Sequence, residues 1–381
     1  MKKHFLWIAF IFSIEAFSDT VEEKLMTGID LEASHSFLHN PAILDISKKS
    51  YSILAVKDTR NSSVLASPDG GTPQNVSYTL NENIVAGSML VPFGGGAFGL
   101  SYIRHNQDLV TDNDVVGDVI NETKRDDIYA FKFAINLTPN LDFGFQYQYK
   151  QADTHVYGSF FLDDEDKSIY KAFLSSYRLG IKYKGQKFAI AGYTDPPARG
   201  KALIDGENKI VAEPGTGGAD FVYKISDKTS IGLGVTRWFY RRDDRLELST
   251  SPIDQRNISL NGLDLDQYLA KVENRRLGVS HKLKGNISLL FSASSQESVY
   301  HFDENGLPGD DRENIPSFKY MKYQFGGVFK KNRMKIELRW HTASREQSSI
   351  TDRSFKLGHR DYVNYKANEQ GFFLLINFMS G

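Results

Sequence analysis

The strongest constraint on this chain is a strict alternation of side chains over residues 127–150. Tyr129, Phe131, Phe133, Ile135 and Leu137 share one parity, and Ala130, Lys132, Ala134 and Asn136 share the other. Thr138-Pro139-Asn140 turns the chain, after which Leu141, Phe143, Phe145, Tyr147 and Tyr149 alternate with Asp142, Gly144, Gln146, Gln148 and Lys150. Successive strand residues point to opposite faces, so the stretch is a hairpin with one apolar, aromatic face and one polar face. Strands of about 9–11 residues with an apolar outside and a polar inside are what a transmembrane β-barrel requires. A soluble β-sandwich strand gives the same alternation, though seldom for about ten residues with aromatics gathered toward the ends of the apolar face.

Composition and the N-terminus separate these readings. The chain has 381 residues, no cysteine and a formal charge of -1. Such a balance argues against a nucleic-acid partner, which needs a basic surface. Aromatic residues make up 13% of the chain and there are 31 glycines, which suits an all-β protein. Lys2 and Lys3 precede an apolar run, Phe5 to Ile14, and Ala16-Phe17-Ser18 offers small residues where a signal peptidase cuts. Residues 1–18 therefore read as a secretory signal peptide. The competing reading, a membrane anchor, is disfavoured because about ten apolar residues fall short of the about twenty that span a bilayer. An exported chain without a helical anchor but with repeated amphipathic strands points to the bacterial outer membrane, with the lipid bilayer as its surroundings.

Residues 19–47 do not alternate and are too polar for a strand in lipid, so they are expected to lie inside or beneath the barrel. His35 and His39 have a spacing that could suit a metal, but no third ligand stands nearby, so no metal site is expected. From there, residues 48–381 read as the barrel. Tight connections such as Pro92-Phe93-Gly94-Gly95, Lys184-Gly185-Gln186 and Lys284-Gly285-Asn286 alternate with long polar stretches, residues 59–75, 106–126, 154–169, 196–216, 249–263, 301–316 and 349–367. Read as short periplasmic turns and long outer loops, these join about fourteen antiparallel strands, an even number as bacterial barrels require.

Later strands repeat the pattern. Met334, Ile336, Leu338 and Trp340 alternate with Arg333, Lys335, Glu337, Arg339 and His341. A charged row of this kind faces water, because each Lys or Arg at the lipid midplane costs about 2–4 kcal/mol. Residues 317–330 change parity midway, which suggests a bulge at Gly326-Gly327. The final alternation of Phe372, Leu374, Ile376 and Phe378 resembles the C-terminal signal read by the outer-membrane assembly machinery, although Met379-Ser380-Gly381 follows the last aromatic.

Two segments resemble the FadL-type outer-membrane transporters of long-chain fatty acids and other hydrophobic compounds. Leu38-His39-Asn40-Pro41-Ala42-Ile43-Leu44 is similar to the Asn-Pro-Ala motif that family carries before its first strand. Residues 218–234, together with Trp238-Phe239-Tyr240 and the charged stretch after them, are similar to its paired-strand segment. The resemblance implies transport without covalent chemistry and without a cofactor. It implies that residues 19–47, with Asn40, Pro41 and Ala42, fold as a short hatch inside the barrel. It also implies an irregular third strand that opens the wall, here placed at Gly95, Gly96 and Gly99, where glycine permits a kink; a tight turn plus a small residue against its neighbours is the other reading of these glycines. Hydrophobic small molecules are the implied partners.

A long-chain acid needs an apolar groove and a cation for its carboxylate. Lys132, Arg178, Lys182, Lys335 and Arg339 have lumen parity and are the candidates. The alternative for each is an ion network with residues such as Asp142 and Glu337. Leu109, Val110, Val115, Val116, Val119 and Ile120 make the second long stretch apolar enough either to cap a hydrophobic mouth or to pack down. An outer-membrane hydrolase would need Ser and His in a nucleophile arrangement, and none of the nine His sits in one. No catalytic residue is expected. A polar porin and a structural or secretion-associated barrel remain the other readings. Apolar lining behind the hatch favours the transporter, and a continuous aqueous bore favours the porin.

Overall fold

The computed structural model describes residues 37, 40–45, 47–67, 74–113, 119–157, 167–196, 198–204, 207–213, 215–239, 265–283, 285–304, 317–352 and 360–380. The expected signal peptide, most of the expected hatch, and Val115 and Val116 lie outside these residues. A short 3-10 turn, Pro41–Ile43, precedes a single antiparallel sheet. Its strands are β1 (Ser50–Ser67), β2 (Gln74–Phe93), β3 (Gly96–Asn113), β4 (Val119–Thr138), β5 (Leu141–Tyr157), β6 (Lys167–Lys184), β7 (Phe188–Asp195) and β8 (Ala198–Ile204). They continue with β9 (Glu207–Glu213), β10 (Gly215–Lys224), β11 (Thr229–Phe239), β12 (Leu265–Lys282), β13 (Ile287–Glu304), β14 (Ser317–Lys331), β15 (Met334–Asp352) and β16 (Arg360–Met379). Each pairs with its neighbours, and β1 pairs with β16 from Ser50↔Met379 to Ser67↔Tyr362, which closes the sheet into a barrel.

Sixteen strand segments make fourteen barrel strands because two strands are interrupted. Both β7 and β8 pair with β6, but five residues of β6, from Leu179 to Ser175, stand against six from Thr194 to Arg199. The register between β7–β8 and β9–β10 is unbroken, with Asp195 opposite Thr216 and Ala198 opposite Glu213. The interruption falls at Pro196-Pro197 and Pro214 in the sequence. Proline has no N–H to give to a ladder, so a sequence of this kind cannot supply every ladder hydrogen bond here.

The two faces are those the sequence predicts. Tyr129, Phe131, Tyr147, Tyr177 and Leu179 are exposed on the outside, while Lys132, Gln146, Arg178 and Lys182 are buried on the inside. On β4 the outer apolar run from Leu137 to Tyr129 rises about 27 Å along the strand, which suits a tilted strand crossing an apolar band about 25 Å tall. Its charged neighbours Asp127 and Arg125 begin only beyond that band. The barrel is therefore lipid-facing over its lower part, and its strands continue beyond the apolar band.

Three expectations need correction. Residues expected as long loops continue the strands: β1 reaches Ser67, β3 reaches Asn113, and residues 196–216 contain β8 and β9. Above the bilayer both faces are polar, so hydropathy loses its alternation while the backbone stays paired. Leu109 is buried on the inner face of β3 and Val110 is exposed on the outer face, so neither belongs to a loop. β3 keeps one register against β2 and one against β4 over its whole length, so the wall is not interrupted at Gly95, Gly96 or Gly99. Gly95 has φ +84° in the turn, and a side chain at Gly96 would strike Phe93 and the Ala134 carbonyl. β14 likewise keeps its register through Gly326 and Gly327, without a bulge. Its parity looks broken because Val328 is an apolar residue on the inner face.

Candidate functional site

The candidate site is the lumen, and its floor is set by the turn near the end of the expected hatch segment. Asn40 caps the turn: its Oδ1 accepts from Ala42 N at 2.9 Å, the arrangement that stabilises a helical start. The same side chain donates Nδ2–H to the carbonyls of Gly192 (3.0 Å) and Ile181 (3.5 Å), which are cross-strand partners on β7 and β6. Pro41 sits in the first helical position, where a missing N–H costs nothing. Asn40, Pro41, Ala42 and Ile43 are all buried. The barrel wall makes room for them with two glycines, Gly144 on β5 and Gly180 on β6, which stand opposite each other. A Cβ on Gly144 would overlap the Pro41–Ala42 peptide, and one on Gly180 would overlap Asn40 Oδ1. Only glycine lets the turn approach the wall this closely.

Against this turn lies an apolar lining. Phe37 and Ile43 pack with Leu54 and Val56 of β1, Ile84 of β2, Ile103 of β3, and Phe373 and Leu375 of β16, with Ile128, Ala189 and Val222 at its margin. Leu44, Leu90, Ala97 and Ala134 form a second small cluster. A lumen filled only with water would not bury such side chains, since each gains about 1.5–3 kcal/mol by leaving water.

Most of the remaining lumen is an ion and hydrogen-bond network. Arg178 grips Asp195 with Nε and Nη2, both at 3.2 Å, and Thr216 donates a short hydrogen bond to the same carboxylate. The Arg178 guanidinium lies 5.3 Å from the centre of the Tyr193 ring, whose hydroxyl meets Thr236 at 3.0 Å. Arg276 donates to Thr236 (2.8 Å) and to Asp220 (3.2 Å). Lys182 pairs with Asp142 at 2.8 Å, and Glu337 takes both Lys335 (3.3 Å) and Arg339 (2.8 Å). Four of the five predicted cations thus hold carboxylates. Arg339 also lies over Phe373, 3.7 Å from its ring centre, and so touches the apolar lining. Lys132 is fully buried on β4, with Gly99 and Gln146 as its cross-strand partners.

The structure also gathers residues that the sequence does not point to. His341 Nε2 faces Asp58 Oδ1 at 3.1 Å and Glu369 Oε1 at 3.2 Å. Gly371 opens the space, because a Cβ there would strike Asp58 and His341. The donor set is of the kind that holds a divalent cation. Glu369, however, already accepts from Arg60 (2.6 Å), Tyr320 (2.7 Å) and Lys322 (3.4 Å). Those cations supply the charge that a metal would bring, so the group reads as part of the network. Barrel closure brings Arg60 to Glu369 across 309 residues, a separation at which spacing in the sequence gives no signal.

No family model and no curated protein matches this sequence. The fold does match solved structures. A FadL homologue of Pseudomonas aeruginosa superposes with a TM-score of 0.63 at 12% identity, covering 93% of this chain and 96% of that one. The Pseudomonas putida toluene transporter TodX gives a TM-score of 0.56 at 9% identity, covering 89% and 92%. A TodX deltaS2 mutant, described as a monoaromatic hydrocarbon channel, gives 0.54 at 10% identity, covering 90% and 93%. With its lipid-facing exterior and fourteen closed strands, this chain is a bacterial outer-membrane β-barrel with the FadL-type fold.

Proposed function

We propose that this barrel carries hydrophobic molecules, long-chain fatty acids among them, passively across the outer membrane, with residues 19–47 acting as its hatch. The observation that carries this reading is the apolar lining of β1, β2, β3 and β16 packed against Phe37 and Ile43. A polar porin has no use for such a surface, whereas a hydrophobic solute entering it leaves water at about 25 cal/mol for each Å² buried. The FadL homologue and the toluene transporter sharing the fold support the same class of solute. Neither narrows it further.

The lumen's cations bear on the choice between an acid and a neutral solute. A carboxylate entering beside Arg178, Lys182, Lys335 or Arg339 has to share a cation with Asp195, Asp142 or Glu337. Arg339, lying on Phe373, is the cation a fatty acid would reach from the apolar lining. The test is uptake of radiolabelled oleate by a transporter-deficient host with and without this gene, alongside uptake of a labelled monoaromatic hydrocarbon. Faster uptake of either supports the proposal, and the two arms distinguish acid from neutral solute. No gain in either, with the barrel present in the membrane, removes it.

A further inference from the structure

The outer wall carries a second built feature, distinct from the lumen. On β3–β6 a row of aromatic rings faces outward: Tyr102 and Tyr129 are 5.0 Å apart between ring centres, Tyr129 and Tyr149 6.4 Å, and Tyr149 and Phe173 6.4 Å. Such a row marks the upper edge of the apolar band. Immediately beyond it, toward the rim opposite the tight turns, Arg104 and Arg125 both grip Asp127, at 2.9 and 2.8 Å, and Tyr102 donates its hydroxyl to the same carboxylate at 2.5 Å. The carboxylate side chain is only 10% exposed, while the arginines are 41% and 50% exposed. Asp127 therefore works as a strut that holds two guanidinium groups outward, each with N–H donors left over. Along the same wall, Asp153 lies between Lys171 (3.9 Å) and His155 (3.2 Å), and Lys201, opposite Phe173 in register, is exposed. Four permanent cations, Arg104, Arg125, Lys171 and Lys201, thus stand with three carboxylates, Asp127, Asp153 and the exposed Asp108 of β3, at and beyond the level of the lipid headgroups.

A second triad supplies the contrast. Arg237 and Arg275 grip Glu273 on the outside of β11 and β12 in the same way. There the register sets Glu297 opposite Glu273, so the sequence balances two arginines with two glutamates. The β3–β6 wall is left with a small net positive charge, at the depth where a charged side chain costs little and can meet a lipid headgroup. Guanidinium forks spaced along a wall suit a phosphate, which they bind in bidentate fashion.

We propose that the outer wall of β3–β6 binds the phosphate of a phosphorylated lipid in the outer leaflet, with the acyl chains lying across the ring row below. The lipid-borne source follows from position, since these side chains project from the lipid-facing side of the barrel and not into the lumen.

The test uses the full chain in nanodiscs of phosphatidylcholine containing a few mole per cent of diphosphoryl lipid A or of its dephosphorylated form, with bound lipid counted by native mass spectrometry. Wild type should retain the phosphorylated lipid and release the dephosphorylated one. Arg104→Gln/Arg125→Gln should lower retention by about fivefold or more, as loss of two charge-assisted contacts implies. Arg237→Gln/Arg275→Gln should stay within about twofold, the size expected for exposed charges whose neighbours already balance them. Should the first pair fail to fold, Lys171→Gln, which breaks only an exposed 3.9 Å contact, gives a smaller loss of the same kind. Equal retention by wild type and these variants overturns the proposal. So does equal retention of the dephosphorylated lipid, or full displacement by millimolar inorganic phosphate.

Discussion

The two halves of the lumen solve different problems. On β1, β2, β3 and β16 the lower lumen is lined by Leu54, Ile84, Ile103 and Phe373, which meet Phe37 and Ile43. On β6, β7 and β10–β12 the inner face carries Arg178, Asp195, Thr216, Asp220, Thr236 and Arg276, joined to one another. The charged half ties its strands together across the break at Pro196-Pro197, where the ladder loses hydrogen bonds; Asp195 lies next to that break and receives Arg178 from β6 and Thr216 from β10. The apolar half has an unbroken ladder, and its own ties, Arg60 to Glu369 and His341 to Asp58, lie further along the strands, beyond Leu54 and Val56. A wall already held by its backbone is the one that can give its side chains to a hydrophobic solute.

The largest expected effect breaks the charged half. Arg178→Ala leaves Asp195 buried without its main cation and should cost about 3–5 kcal/mol in urea unfolding of the barrel in lipid. Replacing both partners with apolar residues should recover most of that loss. If the double replacement is as damaging as the single one, the pair does more than neutralise itself. Next, Leu54→Ala should cost about 2–5 kcal/mol by opening a cavity in the apolar half, whereas Leu54→Met should cost less than about 1.5 kcal/mol. Similar losses for both would mean that the lining is not close-packed against Phe37 and Ile43.

A smaller effect tests the turn between the halves. Asn40→Ala removes the cap and both contacts to the wall, worth about 1–2 kcal/mol locally. The barrel's unfolding midpoint should hardly move, while leakage of small hydrophilic solutes through it should rise. Unchanged leakage would show that the turn does not depend on Asn40 to stay seated. The smallest change is expected for Lys335→Ala, whose partly exposed pair with Glu337 should contribute less than about 1 kcal/mol in the same unfolding measurement.

The legible part of the fold follows from period and punctuation. The alternation at residues 127–150 gives β4 and β5 with the correct faces, and the tight turns give the strand count. Hydropathy fails where both faces share one character. It hides the upper strands, where both sides are polar, and it misreads β14, where Val328 is apolar on the inner side. Arg178, Lys182 and Arg339 are buried on the inner face, and Asn40 and Pro41 are buried against β5–β7, with partners from strands far away in sequence.

The sequence by itself determined a membrane barrel, its fourteen strands and which side of each strand meets lipid, because a two-residue period is local and lipid punishes every error in it. The tertiary structure alone decided what the inward residues meet. Gly144 and Gly180 become a seat for the Asn40–Pro41 turn, and Arg60, His341 and Glu369 become neighbours, only when β1 closes on β16. Closure sets contacts by register around the ring, and register depends on every strand between the two ends.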